Sequence, residues 1–128
     1  MLEAYNRITL TVTTDANGAA TVYFPPDGEG KITGLVHSIR LVDVDLTNDC
    51  DVSFTSENTG EVILTDTAKG GTTQTWYPRP LASVALTGVA SAITEVPVAL
   101  VVDRIKLVIA NDTSGSHSGV FHIIIVPN

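Results

Sequence analysis

Short runs rich in Thr, Val and Ile, each cut off by a cluster of Gly, Pro, Asn or Asp, recur from one end of this chain to the other. Thr, Val and Ile are stiff at χ1 and suit a pleated surface better than a helix. No apolar stripe of helical period lasts long enough to compete with them. The pattern predicts an all-β fold. Its first strand is plain: Ile8, Leu10 and Val12 alternate with Arg7, Thr9, Thr11 and Thr13, giving one buried face and one wet face.

The punctuation places the remaining strands. Asp15-Ala16-Asn17-Gly18 has turn chemistry, with Asn17 and Gly18 suited to positive φ, and predicts that Thr21 to Phe24 return as the partner of the first strand. Pro25-Pro26-Asp27-Gly28-Glu29-Gly30 cannot join a ladder and reads as an exposed loop. Lys31 to Asp45 is extended, with Leu35, His37, Ile39 and Leu41 on one face and Val36, Ser38, Arg40 and Val42 on the other; Gly34 marks a bulge or bend. Asp51 to Ser56, with Val52 and Phe54 inward, and Glu61 to Thr65 form a hairpin around Asn58-Thr59-Gly60. Thr72 to Tyr77 is a strand that stops before Pro78 and Pro80, whereas Leu81 to Glu95 lacks a clear period and reads as a surface excursion with at most a short strand.

Val98 to Val102 and Arg104 to Ala110 resume strand character, Asn111 to Gly119 turns, and Val120 to Val126 follows. In that last strand Phe121, Ile123 and Ile125 point one way while Val120, Ile124 and Val126 point the other, interrupted only by His122. Such a strand is central between two layers or sits against another subunit. Seven to nine strands at this spacing predict a single β-sandwich over residues 1–128, of jelly-roll or Greek-key type, with a short N-terminal arm.

A chain of 128 residues is one domain that buries roughly two thirds of its unfolded surface, so it needs no staple. It has one cysteine, Cys50, which excludes an internal disulfide and fits a small, partly buried residue better than a nucleophile. The net charge of −7 repels phosphate and anionic lipid, which argues against nucleic acid and membrane as partners. Met1 to Leu10 lacks a signal-peptide pattern, and the longest apolar run, Val96 to Val102, is broken by Pro97 and falls far short of the ~20 residues of a membrane helix. A soluble protein that folds where it works is the expectation.

Chemistry-bearing motifs are weak. Asp43, Asp45, Asn48, Asp49 and Asp51 form the densest acidic cluster, but Asn48 stands where a calcium loop needs its Gly and Phe54 where it needs its Glu. His37, His117 and His122 lie at no ligand spacing to one another or to Cys50, so no metal is expected. No nucleophile elbow supports a Ser–His–Asp triad, and Gly70-Gly71 lacks the sequel of a phosphate loop. Asn111-Asp112-Thr113 is formally a glycosylation acceptor but reads as a turn. Adjacent Trp76 and Tyr77 point to opposite faces, so at most one enters the core. No catalytic residue and no cofactor is assigned, and an enzyme ranks last among the readings.

Three stretches together carry a resemblance. Thr75-Trp76-Tyr77-Pro78-Arg79 after a polar glycine turn is one. Asp103-Arg104-Ile105-Lys106-Leu107-Val108-Ile109, a Ser/Gly turn and Gly119-Val120-Phe121-His122-Ile123 are the second, read as a C-terminal hairpin. Thr13-Thr14-Asp15 through Ala19-Ala20-Thr21 to Gly30-Lys31-Ile32 is the third. In these the chain resembles the small capsid decoration, or cement, proteins of tailed bacteriophages; Leu81 to Val96 departs most from the pattern. The resemblance implies a homo-oligomer, trimer or dimer, assembled in the host cytoplasm. It would bind the major capsid protein on the outer surface of the mature phage head and reinforce it. Contacts are expected from the terminal segments Met1 to Arg7, including Leu2 and Tyr5, and Val126 to Asn128, from the Trp76 to Pro80 segment with Trp76, Tyr77, Pro78 and Arg79, and from Ile124 and Val126. Arg79 is the expected partner of a shell carboxylate; alternatively the Trp76 to Pro80 segment merely crosses between sheets. The rival from another class is a tail, baseplate or fibre-associated binding module, with a glycan as its ligand.

Overall fold

The computed structural model describes residues 6–25, 31–42, 45–47, 50–66, 73–79, 81–83, 90–95, 98–113 and 116–127, with the backbone alone for 81–83 and 90–95. The fold is an all-β sandwich. Its strands are β1 (Asn6–Thr13), β2 (Ala20–Phe24), β3 (Ile32–Val42), β4 (Asp51–Ser56), β5 (Val62–Asp66), β6 (Gln74–Trp76), β7 (Leu81–Ser83), β8 (Ala90–Glu95), β9 (Ala99–Asp103), β10 (Ile105–Ala110) and β11 (Ser118–Val126). One sheet runs β1-β11-β3-β6, with β9 also on β3; the other runs β2-β10-β4-β5; β7 and β8 pair only with each other. The pairing is nested. β1 takes β11, β2 takes β10, β3 takes β9, and β4 takes β5, all antiparallel. A chain folded double and then rolled up has this order, which makes the sandwich a jelly roll.

Nesting overturns two local expectations. Thr21 to Phe24 do not return beside β1: the turn at Asp15 to Gly18 carries the chain from one sheet into the other, where β2 pairs with β10. Asp103 to Ile123 is likewise no hairpin, because β10 and β11 belong to different sheets. Turn chemistry is the same at a hairpin and at a sheet crossing, and the partner is chosen by burial elsewhere. Gly18 adopts φ +77°, and a Cβ there would collide with the backbone carbonyl of Asp112. Among the described residues the strand count is also higher than expected, at eleven, because residues 81–83 and 90–95 pair as strands.

The core fills from both sheets. Ile8, Leu10 and Val12 of β1 and Phe121, Ile123 and Ile125 of β11 face Val52 and Phe54 of β4 and Ile105, Leu107 and Ile109 of β10, all buried. Phe121 and Phe54 meet edge to face, with ring centroids 5.3 Å apart, and tie one layer to the other. Each such ring contributes about 1.5–3 kcal/mol by leaving water. Cys50 is completely buried rather than partly so, an inert thiol within the core.

β3 changes phase along its length. Opposite β11, Val36 pairs with Ile125 and Ser38 with Ile124, which leaves His37 as an extra residue in a bulge. Val36, Ile39 and Leu41 therefore share the core while His37 faces solvent, so the expected face of Leu35, His37, Ile39 and Leu41 is corrected from the bulge onward. A second irregularity falls at Gly34, as its sequence suggests; its φ is +153°, and a Cβ would sit 2.6 Å from the Ile125 side chain.

Candidate functional site

The outer face of the larger sheet is the most distinctive surface of the molecule. β11 is an interior strand of that sheet, flanked by β1 and β3, so its inward residues are core and its outward residues Val120, His122, Ile124 and Val126 stay half-exposed. Strand register sets the neighbours. Thr9, His122, Arg40 and Thr75 stand in one row across β1, β11, β3 and β6, and Arg7, Ile124 and Ser38 stand in the next. A shallow groove lies over these rows. One half is lined by His37, Ser38, Ile124 and Val126 and is mainly apolar. The other half adds Arg7, Arg40, Thr75, Tyr77 and His122 and shares Ser38 and Ile124 with the first.

Tyr77 forms one wall. It is 62% exposed, and its ring stands edge-on to His37 at 5.9 Å. Trp76 turns the other way, packs against the core and donates its indole N–H to Asp66 Oδ2 at 2.7 Å. Pro78 is buried. Arg79 is half-buried and bonds to its own chain: its Nη1 donates to the carbonyls of His37 at 3.0 Å, Val36 at 3.4 Å and Pro78 at 2.7 Å. The bulge turns the Val36 and His37 carbonyls out of the regular ladder, and the guanidinium satisfies them. Of the residues expected to make contacts, the structure thus gathers Tyr77, Ile124 and Val126 along one groove, buries Pro78, and leaves Trp76 and Arg79 half-buried with hydrogen bonds inside the chain. Leu2 and Tyr5 lie outside the described residues.

Two buried carboxylates bracket β10. Asp103, 3% exposed, precedes the strand; it accepts the Ser56 hydroxyl, the Asn58 N–H at 2.9 Å and the Arg104 N–H at 2.7 Å. Asp112, 2% exposed, follows it and accepts from Thr14 Oγ1 at 2.6 Å, from Thr47 N and Oγ1 at 2.9 and 3.0 Å, and from His117 Nδ1 at 3.0 Å. Burial pushes the Asp112 carboxyl up, but the bonds from Thr14, Thr47 and His117 outweigh it and hold the group below the ordinary aspartate value. His117, expected in a loose turn, is fixed by this cluster. The Thr14 hydroxyl donates to the carboxylate and not to the imidazole, so the cluster latches three loops and does not form a relay that activates a nucleophile.

Among the described residues no group of three His, Cys, Asp or Glu side chains is arranged to hold a metal ion. In the acidic stretch, Asp51 accepts the Asn111 side-chain amide at 2.6 Å, and Asn111 has φ +61°, the turn its sequence suggests. Asp43, Asn48 and Asp49 lie outside the described residues. Arg7, Arg40 and His122 escaped sequence reasoning as a group because only cross-strand register joins them. Their one signal was His122, the sole polar residue on an otherwise apolar strand face. The chain matches no protein-family model and no curated protein.

Proposed function

We propose that this chain is a structural decoration protein of a tailed-phage head, docking on the assembled shell of the major capsid protein and reinforcing it from outside. The observation that supports this reading best is the outer face of β11, where Ile124 and Val126 lie half-exposed beside the open ring of Tyr77. A monomer that only had to fold would place Thr or Ser at those outward positions, as β1 does with Thr9, Thr11 and Thr13. The resemblance in the Trp76 to Arg79 and Asp103 to Ile123 segments supplies the partner. Each site contributes modestly, and a small oligomer adds its contacts through effective concentration.

The test is the copy number of the chain in purified particles relative to the major shell protein. Simple fractional stoichiometry is expected, and it should collapse when Tyr77→Ala is combined with Ile124→Thr. A handful of copies per particle would place the chain on a tail or fibre instead, where the exposed Tyr77 ring would serve as a platform for a sugar.

A further inference from the structure

The geometry points to the chemistry of what fills the groove: an extended acidic segment of a partner protein, with carboxylates facing Arg7 and Arg40 and an apolar side chain facing Ile124 and Val126. This rests on the outer face of the larger sheet being the docking surface.

Charge bookkeeping singles out the two arginines. The chain has 7 Lys and Arg against 14 Asp and Glu. Arg104 and Lys31 both reach Glu57, with Arg104 Nε at 3.1 Å and Lys31 Nζ at 3.9 Å. Arg79 is turned onto backbone carbonyls. Lys106 stands on the opposite sheet, and Lys69 lies outside the described residues. Arg7 and Arg40 remain. Both are exposed, and among the described residues neither makes an ion pair; Arg40 donates only to the Thr75 hydroxyl at 2.9 Å. They line the same half-groove from β1 and β3, two strand spacings apart and one row offset, which puts their backbones about 12 Å apart.

Everything polar in that half-groove can donate a hydrogen bond: two guanidiniums, the Thr75, Ser38 and Tyr77 hydroxyls and the His122 ring. Among the described residues no carboxylate lines either half. A surface of net charge −7 that keeps its unpaired guanidiniums together complements an acidic ligand at this one place and repels it elsewhere. Guanidinium forks match carboxylates in a bidentate way. The adjoining apolar half, continuous through Ile124, then selects a peptide over a nucleic acid, whose dense charge the rest of the surface opposes. In an extended peptide alternate residues face the same way, so an apolar residue followed at alternate positions by two acids spans both halves.

The test titrates isotope-labelled protein with the acetylated, amidated peptide Leu-Ser-Glu-Ser-Glu, using Leu-Ser-Gln-Ser-Gln as an uncharged twin and a thymidine pentanucleotide as a polyanion. The expected result is amide shifts confined to the β1, β11, β3 and β6 rows. The Gln twin should bind about tenfold more weakly, and Arg7→Gln and Arg40→Gln should each weaken the acidic peptide up to about fivefold. Both arginines are exposed, so an unchanged melting curve confirms that the variants fold. Equal binding of the twin, tighter binding of the oligonucleotide, or concentration-dependent shifts of the same rows without peptide, showing a second copy as occupant, would each overturn the inference. Particle copy number is read separately: peptide binding by a chain absent from heads keeps the groove chemistry and removes the head assignment, and full occupancy without peptide binding does the reverse.

Discussion

The two outer faces of the sandwich follow one folding rule and present different residues. On the smaller sheet, outward positions carry Thr21, Tyr23, Ser53, Thr55, Thr65 and Lys106, with Val62 and Val108 as apolar residues among them. On the larger sheet the interior strand β11 presents Val120, Ile124 and Val126, flanked by Arg7, Arg40, His37 and Tyr77. Both inner faces are mainly apolar, so folding alone does not require this difference. What the larger sheet adds outside is therefore available for a partner, and the smaller sheet is its internal control.

The largest effects should ignore the distinction. Phe54→Ala and Phe121→Ala empty matching positions on the two inner faces, and each should cost about 3–5 kcal/mol in denaturant unfolding. Strongly unequal losses would break the symmetry of the core. Next comes the latch at one end of β10. Asp112→Ala leaves the Thr14 and Thr47 donors buried without their acceptor and should cost about 1–3 kcal/mol. Because the folded carboxyl lies below its unfolded value, its contribution is complete above the ordinary aspartate pKa of about 3.9 and is lost as pH falls through the lowered folded value. The unfolding midpoint should drop in that acid window, and Asp112→Asn should remove this part of the slope.

Smaller in stability, and sharper as a comparison, are the outward substitutions. Ile124→Thr and Val108→Thr should each change stability by less than about 1 kcal/mol, yet only the first should lower particle occupancy. Equal loss of occupancy would put the smaller sheet in the interface too. Smallest is Val101→Thr on β9, a strand that exposes Val101 and Val102 at 61% and 63% but bears no arginine within the groove. Its occupancy and melting curve should match those of the parent, and a fall in occupancy would extend the docking surface to that edge.

How much of this could be read from the residues depended on range. β1 and β4 were legible because their alternation is unbroken, and Ile8, Leu10, Val12, Val52 and Phe54 are buried as the period requires. The Asn58-Thr59-Gly60 hairpin was legible because turn and pairing are both local; Gly60 takes φ +76°. β3 was half legible: Gly34 announced its irregularity, but nothing in the sequence marks His37 as an extra residue, and one extra residue exchanges the two faces. Asp103 and Asp112 were illegible as buried groups. An Asp in a turn reads as solvated, and their partners Ser56, Thr14 and Thr47 are supplied from distant chain. For the outer face of the larger sheet, Tyr77, Ile124 and Val126 were visible as apolar residues out of place. Arg7 and Arg40 gained meaning only when β11 stood between them.

The nested order of strands also dictates when the molecule can form. β1 and β3 both lie against β11, the latest strand in chain order, so the centre of the larger sheet is missing until residues 118–126 have been made. At about 5–20 residues per second, a ribosome spends several seconds with β1 exposed and its partner still unwritten. During that interval β1 and β3 offer open backbone edges and apolar faces, the features that recruit holding chaperones or seed aggregation. High-yield production of this protein should therefore respond more to co-expressed holding chaperones than to any change at its surface.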